Sequence, residues 1–382
     1  MLRAGVYRVD ITPPVGITYP RYSTQFPNGF HAAGVHDPLW AKALVLDDGR
    51  TQCAILTLDQ CIPRRDFLQA IRERVARETT IAPENVFIAS THTHSGRELR
   101  YAYGEPEHPF EIVAREKAAG AVVMASRNLT EVTVSCGRGR VPQGIVYNRR
   151  KRLPGGTLTM TCPETDFDLA ITRYYRALGL ERDQVEGIPA DPRPLDGPVD
   201  DELILLHFQD AAGKTVASFM NFACHPVILS LHDAHLSGDW VAVAAGIVER
   251  ETGAPCLFTQ GAAADVRPYY RRTKDYGEVV RVGRAIGGTA LQALAALQEV
   301  SLTREPVLAT ACQVLKMPLR DFVDVPEKTA RLLDEAKRRW EQRDGMSLVE
   351  RRKAWERLKT VERYHQWSVL RVTPEELEGR YF

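Results

Sequence analysis

The chain has 382 residues, and its 50 Lys and Arg nearly cancel 49 Asp and Glu to leave a formal net charge of +1. That balance excludes the broad basic surface by which a protein holds nucleic acid, and no apolar run approaches the roughly 20 residues of a membrane span. With 44% apolar and 26% charged residues the composition is that of a globular protein, and seven scattered cysteines without a Cys-x-x-Cys pair argue against a disulfide framework and for a reducing, cytoplasmic setting.

The opening Met1-Leu2-Arg3-Ala4-Gly5 is read as entering a strand at once, with no room for a signal peptide. Strands are predicted near 3–9, 40–47, 52–59 and 85–90. Between the last two, Phe67, Leu68, Ile71 and Val75 share one face of an amphipathic helix. A second helix is predicted from about Phe110 to Met124. Residues 138 to 200, punctuated by Pro154-Gly155-Gly156, Pro189, Pro192, Pro194 and Pro198, show little periodicity and read as a long loop bordering an active site. Paired strands at 202–209 and 215–222 follow, joined by Asp210-Ala211-Ala212-Gly213. Gly213-Lys214-Thr215 is a turn and not the end of a P-loop, because Phe208 stands where that motif needs Gly.

Helices near 240–252 and 277–297 flank a third apolar run, Cys256-Leu257-Phe258-Thr259. From about Pro326 the character changes to charged helix, with Leu332, Leu333, Ala336 and Trp340 on one face and Gly345 as its stop. Ser347 and Glu350 form a capping box for a further helix bearing Ala354, Leu358 and Val361. This hairpin reads as packing or as an interface, which leaves a homo-oligomer open. The whole predicts an α/β fold with layers of sheet and helix over 1–316 and a C-terminal helical hairpin over 317–382.

The chemistry concentrates where the apolar runs end. Val86-Phe87-Ile88-Ala89-Ser90 leads into Thr91-His92-Thr93-His94-Ser95-Gly96, and on an extended chain His92 and His94 would point the same way. Both could bind one metal, one could bind it while the other touches substrate, or both could be ordinary surface histidines. The run Thr215–Phe222 ends in Ala223-Cys224-His225-Pro226, and the third run ends in Gln260-Gly261-Ala262-Ala263-Ala264-Asp265. Three strands ending in His, His and Asp fit a metal-hydrolase rim, and neutral imidazole suits zinc (Zn2+), which in catalytic sites has about three protein ligands and a water. Asp239 and Asp265 are candidates to ligate a metal, hold a histidine or cap a helix. No Gly-x-Ser-x-Gly elbow offers a serine nucleophile.

These stretches also carry a family resemblance. Asp10-Ile11-Thr12-Pro13-Pro14-Val15-Gly16, Gly34-Val35-His36-Asp37-Pro38-Leu39, Thr91–Gly96, Asn148-Arg149-Arg150, Asn221–Pro226 and Gln260–Asp265 occur in the order of the neutral/alkaline non-lysosomal ceramidases and their shorter bacterial relatives. The resemblance covers roughly residues 3 to 300. It implies two sheets between outer helices and one zinc that activates water to hydrolyse an N-acyl amide. It also implies that His92 and His225 are metal ligands, and that His94 and Arg149 lie beside the scissile carbonyl. Asn148, Asp239 and Asp265 are then supporting residues, and the partner is a small or lipid-like N-acyl amide. The family completes its zinc shell with a Glu and a Tyr further downstream, for which no counterpart is found before Phe382. A non-catalytic relative that keeps the fold as a binding or assembly module is the alternative.

Overall fold

A computed structural model describes residues 1–16, 18–19, 30–96, 109–152, 158–160, 197–229, 235–269, 275–299, 307–313, 326–346 and a subset of 350–365. It divides into two compact units, Met1–Ile17 with His31–Thr310 and Thr18–Phe30 with Ala311–Phe382.

The first unit is built on two five-stranded sheets. One contains β1 (Arg3–Asp10), β2 (Trp40–Asp47), β3 (Gln52–Leu58), β4 (Val86–Ser90) and β5 (Thr130–Glu131), in the order β4-β3-β2-β1-β5. The chain continues through β6 (Thr133–Arg140), β7 (Val146–Asn148), β8 (Glu202–Gln209), β9 (Thr215–Phe222), β10 (Cys256–Gln260), β11 (Val266–Pro268) and β12 (Gln298–Glu299). The second sheet has the order β10-β9-β8-β6-β12, and β7 pairs with β11 as a separate short ribbon. Each sheet is antiparallel except at one edge, where β3 runs parallel to β4 and β9 runs parallel to β10.

Alternation of side chains explains the layering. Leu206 and Phe208 of β8 meet Ala4, Leu44 and Ile55 of the first sheet in one core cluster, so the two sheets pack face to face. Leu203 and Leu205, from the other face of β8, pack against Trp240, Val241, Ala244, Val279, Val282 and Ile286. Those residues belong to helices α3 (Asp239–Thr252) and α4 (Tyr276–Ala295). Helices α1 (Arg65–Glu78) and α2 (Pro109–Arg127) cover the first sheet. The result is the predicted α/β/β/α order.

Local chemistry sets the helix ends. Phe67, Ile71 and Val75 are the buried stripe of α1, and the helix closes as the Thr79 amide bonds to the Val75 carbonyl. Gly253, at φ 69°, ends α3 in the left-handed region that glycine enters without penalty. Asp275 caps α4 by accepting from the Glu278 amide. At Gly137 of β6 an added Cβ would sit 2.2 Å from the Ala293 carbonyl, so helix α4 lies against bare backbone there.

In the second unit, α5 (Pro326–Glu341) is followed by helical residues between 350 and 365, with the Trp340 and Trp355 rings 5.1 Å apart. The expected cap at Ser347 and most of the long predicted loop, residues 161–196, lie outside the described residues. Among the described residues no helix is long and apolar enough to cross a membrane.

Candidate functional site

The carboxyl ends of both parallel strand pairs carry the candidate residues. Strand β4 stops at Ser90, and the chain then turns: His92 adopts φ 67°, one of two non-glycine residues with a left-handed backbone among the described residues. Strand alternation therefore does not aim the two rings. A left-handed residue does, and such a conformation costs on the order of 1–3 kcal/mol unless the surroundings hold it. They do so here. The His92 amide donates to the Gln60 carbonyl (3.1 Å), and the His94 amide donates to the Pro226 carbonyl (3.0 Å). Between them, the buried Thr93 hydroxyl donates to the Ser237 carbonyl (2.7 Å).

His225 approaches from β9, its amide bonded to the Val266 carbonyl (3.0 Å). The Nε2 atoms of His92 and His225 stand 3.2 Å apart, and those of His94 and His92 stand 3.4 Å apart. Ring tautomers follow from the opposite nitrogens. His92 Nδ1 faces the Cys61 carbonyl at 2.9 Å, and His225 Nδ1 faces the Ala263 carbonyl. A carbonyl oxygen only accepts, so each Nδ1 carries the hydrogen and each Nε2 presents a lone pair.

Two facing lone pairs at this separation repel unless a cation lies between them. A shared proton is disfavoured, because burial, reinforced by neighbouring His92, lowers the His225 pKa to about 4. A metal ion suits the donor set better. Two nitrogens each about 2.0–2.1 Å from one tetrahedral ion stand about 3.3–3.4 Å apart. Donor atoms of Cys61, His92 and His94 also lie within 4.8 Å of one another. The Cys61 thiol, however, approaches the Nδ1 side of His92 at 3.7 Å, the nitrogen already engaged by a carbonyl, so the Nε2 side is the better metal position.

The supporting candidates surround this cluster. The Arg149 guanidinium donates from Nε (3.1 Å) and Nη2 (2.7 Å) to the Ala264 carbonyl, and its charge contributes to the lowered His225 pKa. Asn148 donates to Asp265 (3.2 Å) and to the Pro198 carbonyl (2.9 Å), while the Arg149 amide bonds to the Asp265 carbonyl (2.7 Å). Asp239 is the first residue of α3, at φ 57°, and burial raises its pKa to about 7. Its carboxylate accepts from the Trp240 amide (2.7 Å) and the Leu229 amide (3.1 Å), tying the start of α3 to the segment that follows His225.

Sequence reasoning missed the residues that join the two strand ends. Gln260 Nε2 donates to the carbonyls of Cys224 (2.9 Å) and Thr91 (3.3 Å), and its Oε1 accepts from the Cys224 amide (2.9 Å). One side chain thus staples the His92 segment to the His225 segment. Asp37 does related work: it accepts from the Ser237 hydroxyl, the Gly238 amide (2.7 Å) and the Tyr276 hydroxyl (3.1 Å). Ser237 in turn holds Thr93. Both Gln260 and Asp37 lie in motifs that the sequence presents, but nothing in those motifs names their partners.

No protein-family model matches the sequence. Among solved structures, the chain is similar to the neutral ceramidase from Pseudomonas aeruginosa, with a TM-score of 0.57 and 18% identity over 78% of this chain and 45% of that one. A structure described as ceramidase complexed with C2 gives the same TM-score and identity over 78% of this chain and 44% of its own. The fold is therefore ceramidase-like, and the chain spans less than half the length of the proteins it matches.

Proposed function

We propose that this chain is a ceramidase-like, metal-dependent hydrolase of an N-acyl amide, with His92 and His225 holding a zinc ion. The observation that carries the reading is the pair of Nε2 lone pairs facing each other at 3.2 Å, each fixed by a carbonyl behind its ring. The ceramidase-like fold supports the choice of reaction. Zinc supplies Lewis acidity, polarising an acyl carbonyl and lowering the pKa of a water towards about 7.

The protein's own groups do the rest. The carbonyls of Cys61 and Ala263 lock the two imidazoles in the ligating tautomer and raise their basicity. Arg149 is always charged, and with its guanidinium anchored on the Ala264 carbonyl it is held ready to meet the acyl oxygen as negative charge develops there. Asn148 and Asp265 keep the Arg149 backbone in place. The substrate class is an N-acyl amide, lipid-like or smaller.

The test is metal content together with hydrolysis. Purified wild type is expected to hold one zinc per chain and to release free acid from short- and long-chain N-acyl amides, with a chelator abolishing the release. His92→Ala and His225→Ala are expected to lose both properties. Wild type that takes up no zinc would overturn the proposal, and zinc binding without turnover on any acyl amide would reduce it to a metal-binding module.

A further inference from the structure

We propose that the amide cleaved at this site carries an anionic group, as an N-acyl amino acid does, and that the cationic ribbon following Arg149 receives it. The inference rests on the reading of the site as an amide hydrolase and narrows its substrate. Its first support is where the chain places positive charge. Between Glu131 and Glu164 stand six Lys and Arg residues and no Asp or Glu. Arg138 and Arg140 are paired, with Glu202 (3.0 Å) and Asp201 (2.6 Å). The other four, Arg149, Arg150, Lys151 and Arg152, are consecutive.

Elsewhere the strands of this fold neutralise their cations internally. Arg3 pairs with Asp47, its register partner on the next strand, and Arg8 and Lys42 both pair with Glu249. Arg150–Arg152 forms a short strand antiparallel to Leu158–Met160, and there the register partners of Arg150, Lys151 and Arg152 are Met160, Thr159 and Leu158. All three are neutral, so the cross-strand pairing that relieves charge at Arg3 has no counterpart on this ribbon.

The second support is where the ribbon begins. The Ala263 carbonyl faces the His225 ring, the next carbonyl, Ala264, holds the Arg149 guanidinium, and the Val266 carbonyl accepts from the His225 amide. Arg149 is thereby fixed beside His225, and the ribbon starts at the following residue. The same loop leads to Arg267, a charge only 5% exposed, which stands opposite Tyr147 in the register of β7 with β11. Asp265 is the one acid of this loop, and its carboxylate accepts from Asn148. A divalent ion at the histidines adds to the positive field. A substrate carboxylate complements that field, whereas a neutral amide does not. An extended strand advances about 3.3 Å per residue, so Arg150 and Arg152, on one face of the ribbon, lie within about 10 Å of Arg149 along the chain. In an N-acyl amino acid the carboxylate is one carbon from the scissile nitrogen, a comparably short span, and guanidinium forks match carboxylates.

The experiment offers the zinc-loaded chain an N-acyl amino acid and its neutral methyl ester, matched in acyl chain, and reads release of the amine. Calorimetry on the metal-free chain compares binding of the same two compounds without turnover. Wild type is expected to favour the acid by about tenfold or more in kcat/KM and in affinity, with the gap closing as salt screens it. The double variant Arg150→Gln, Arg152→Gln is expected to keep its zinc and its circular dichroism while the acid-to-ester ratio falls towards unity. The wild-type comparison stands by itself, so a double variant that misfolds does not remove the test. Equal rates and affinities for acid and ester in wild type would overturn this inference and leave amide hydrolysis intact. A ratio that survives in the folded double variant would overturn the role of the ribbon. Equal rates together with binding to phosphatidylglycerol vesicles, lost in the double variant, would overturn it in favour of a membrane-docking ribbon. Wild type that releases amine from neither compound would overturn the amide-hydrolase reading and this inference together.

Discussion

Gln260 offers a demanding test, because it touches no substrate and no proposed ligand. Replacing it with Leu keeps the volume and deletes three hydrogen bonds, two to carbonyls and one from the Cys224 amide. Cys224 is fully buried, so its amide loses an acceptor that bulk water does not replace. Stranding a buried donor costs about 1–3 kcal/mol. Gln260 itself is half-buried, and the 3.3 Å contact to Thr91 is long, so a total of about 2 kcal/mol is the working figure. For a unit of this size that lowers Tm by about 3 °C. The larger effect is expected at the metal, since the His92 and His225 segments lose their common staple: zinc affinity should fall about 10- to 100-fold, as for other outer residues of metal sites. Thermal melts of the metal-free chain and chelator competition give the two numbers. A variant with the wild-type Tm and wild-type zinc affinity would refute the argument that this side chain holds the two strand ends together.

Other outcomes follow from the same structure. Thr93→Val keeps the shape but leaves the Ser237 carbonyl without its 2.7 Å donor, so zinc affinity should drop by about tenfold or more; chelator competition measures it, and an unchanged affinity would count against tight support of the histidine loop. Gly137→Ala places a methyl 2.2 Å from the Ala293 carbonyl, which must move helix α4 and cost about 1–3 kcal/mol in a denaturant melt. His207, bonded to Ser218 at 3.0 Å, has its pKa lowered from the ordinary 6.5 by burial. Its folded form therefore binds fewer protons than its unfolded form, and stability is full above pH 6.5 and declines as the pH falls below it towards the folded value. His207→Gln should flatten that part of the Tm-against-pH curve; an unchanged slope would assign the acid sensitivity to other groups.

The regular elements were legible because each has a period that its burial requires. Phe67, Ile71 and Val75 advertise the buried stripe of α1, and the apolar run at Cys256–Gln260 marks a strand packed on both faces, whereas the equally apolar run at Val86–Ser90 forms an edge strand that leaves Phe87 exposed. The ribbon of β7 with β11 was not legible: three residues on each side are too few to show alternation, and the pairing joins Asn148 to Val266 across more than a hundred residues. That ribbon is what brings Arg149 to Asp265. The aim of the histidines was legible only in outcome. The sequence places His92 two residues from His94, a spacing for which strand alternation predicts a shared face, whereas the rings meet because His92 leaves the strand conformation. Glutamine at a strand end announces nothing about partners 36 and 169 residues away, and an aspartate 200 residues from its serine is equally silent. Long-range polar ties have no local signature.

The place of the site follows from topology. An antiparallel hairpin sends successive strand ends to opposite sides of a sheet, but a parallel pair joined by a helical crossover sends both to the same side. Each sheet contains one such unit at its edge, β3-α1-β4 in the first and β9-α3-β10 in the second. Their four carboxyl ends converge, where ligands gather in many α/β sheets. The division of labour between the units is reversed. In the first, the later strand delivers His92 and the exit of the earlier strand supplies the Cys61 carbonyl behind its ring. In the second, the earlier strand delivers His225 and the exit of the later one supplies the Ala263 carbonyl. Gln260 then ties the second unit to the first through Thr91. Each imidazole is thus oriented from within its own crossover unit, and only their meeting depends on how the two sheets pack. A mutation that loosens the sheet-to-sheet core, around Leu44, Phe208 and Leu257, should therefore widen the gap between His92 and His225 while leaving each ring's carbonyl contact intact.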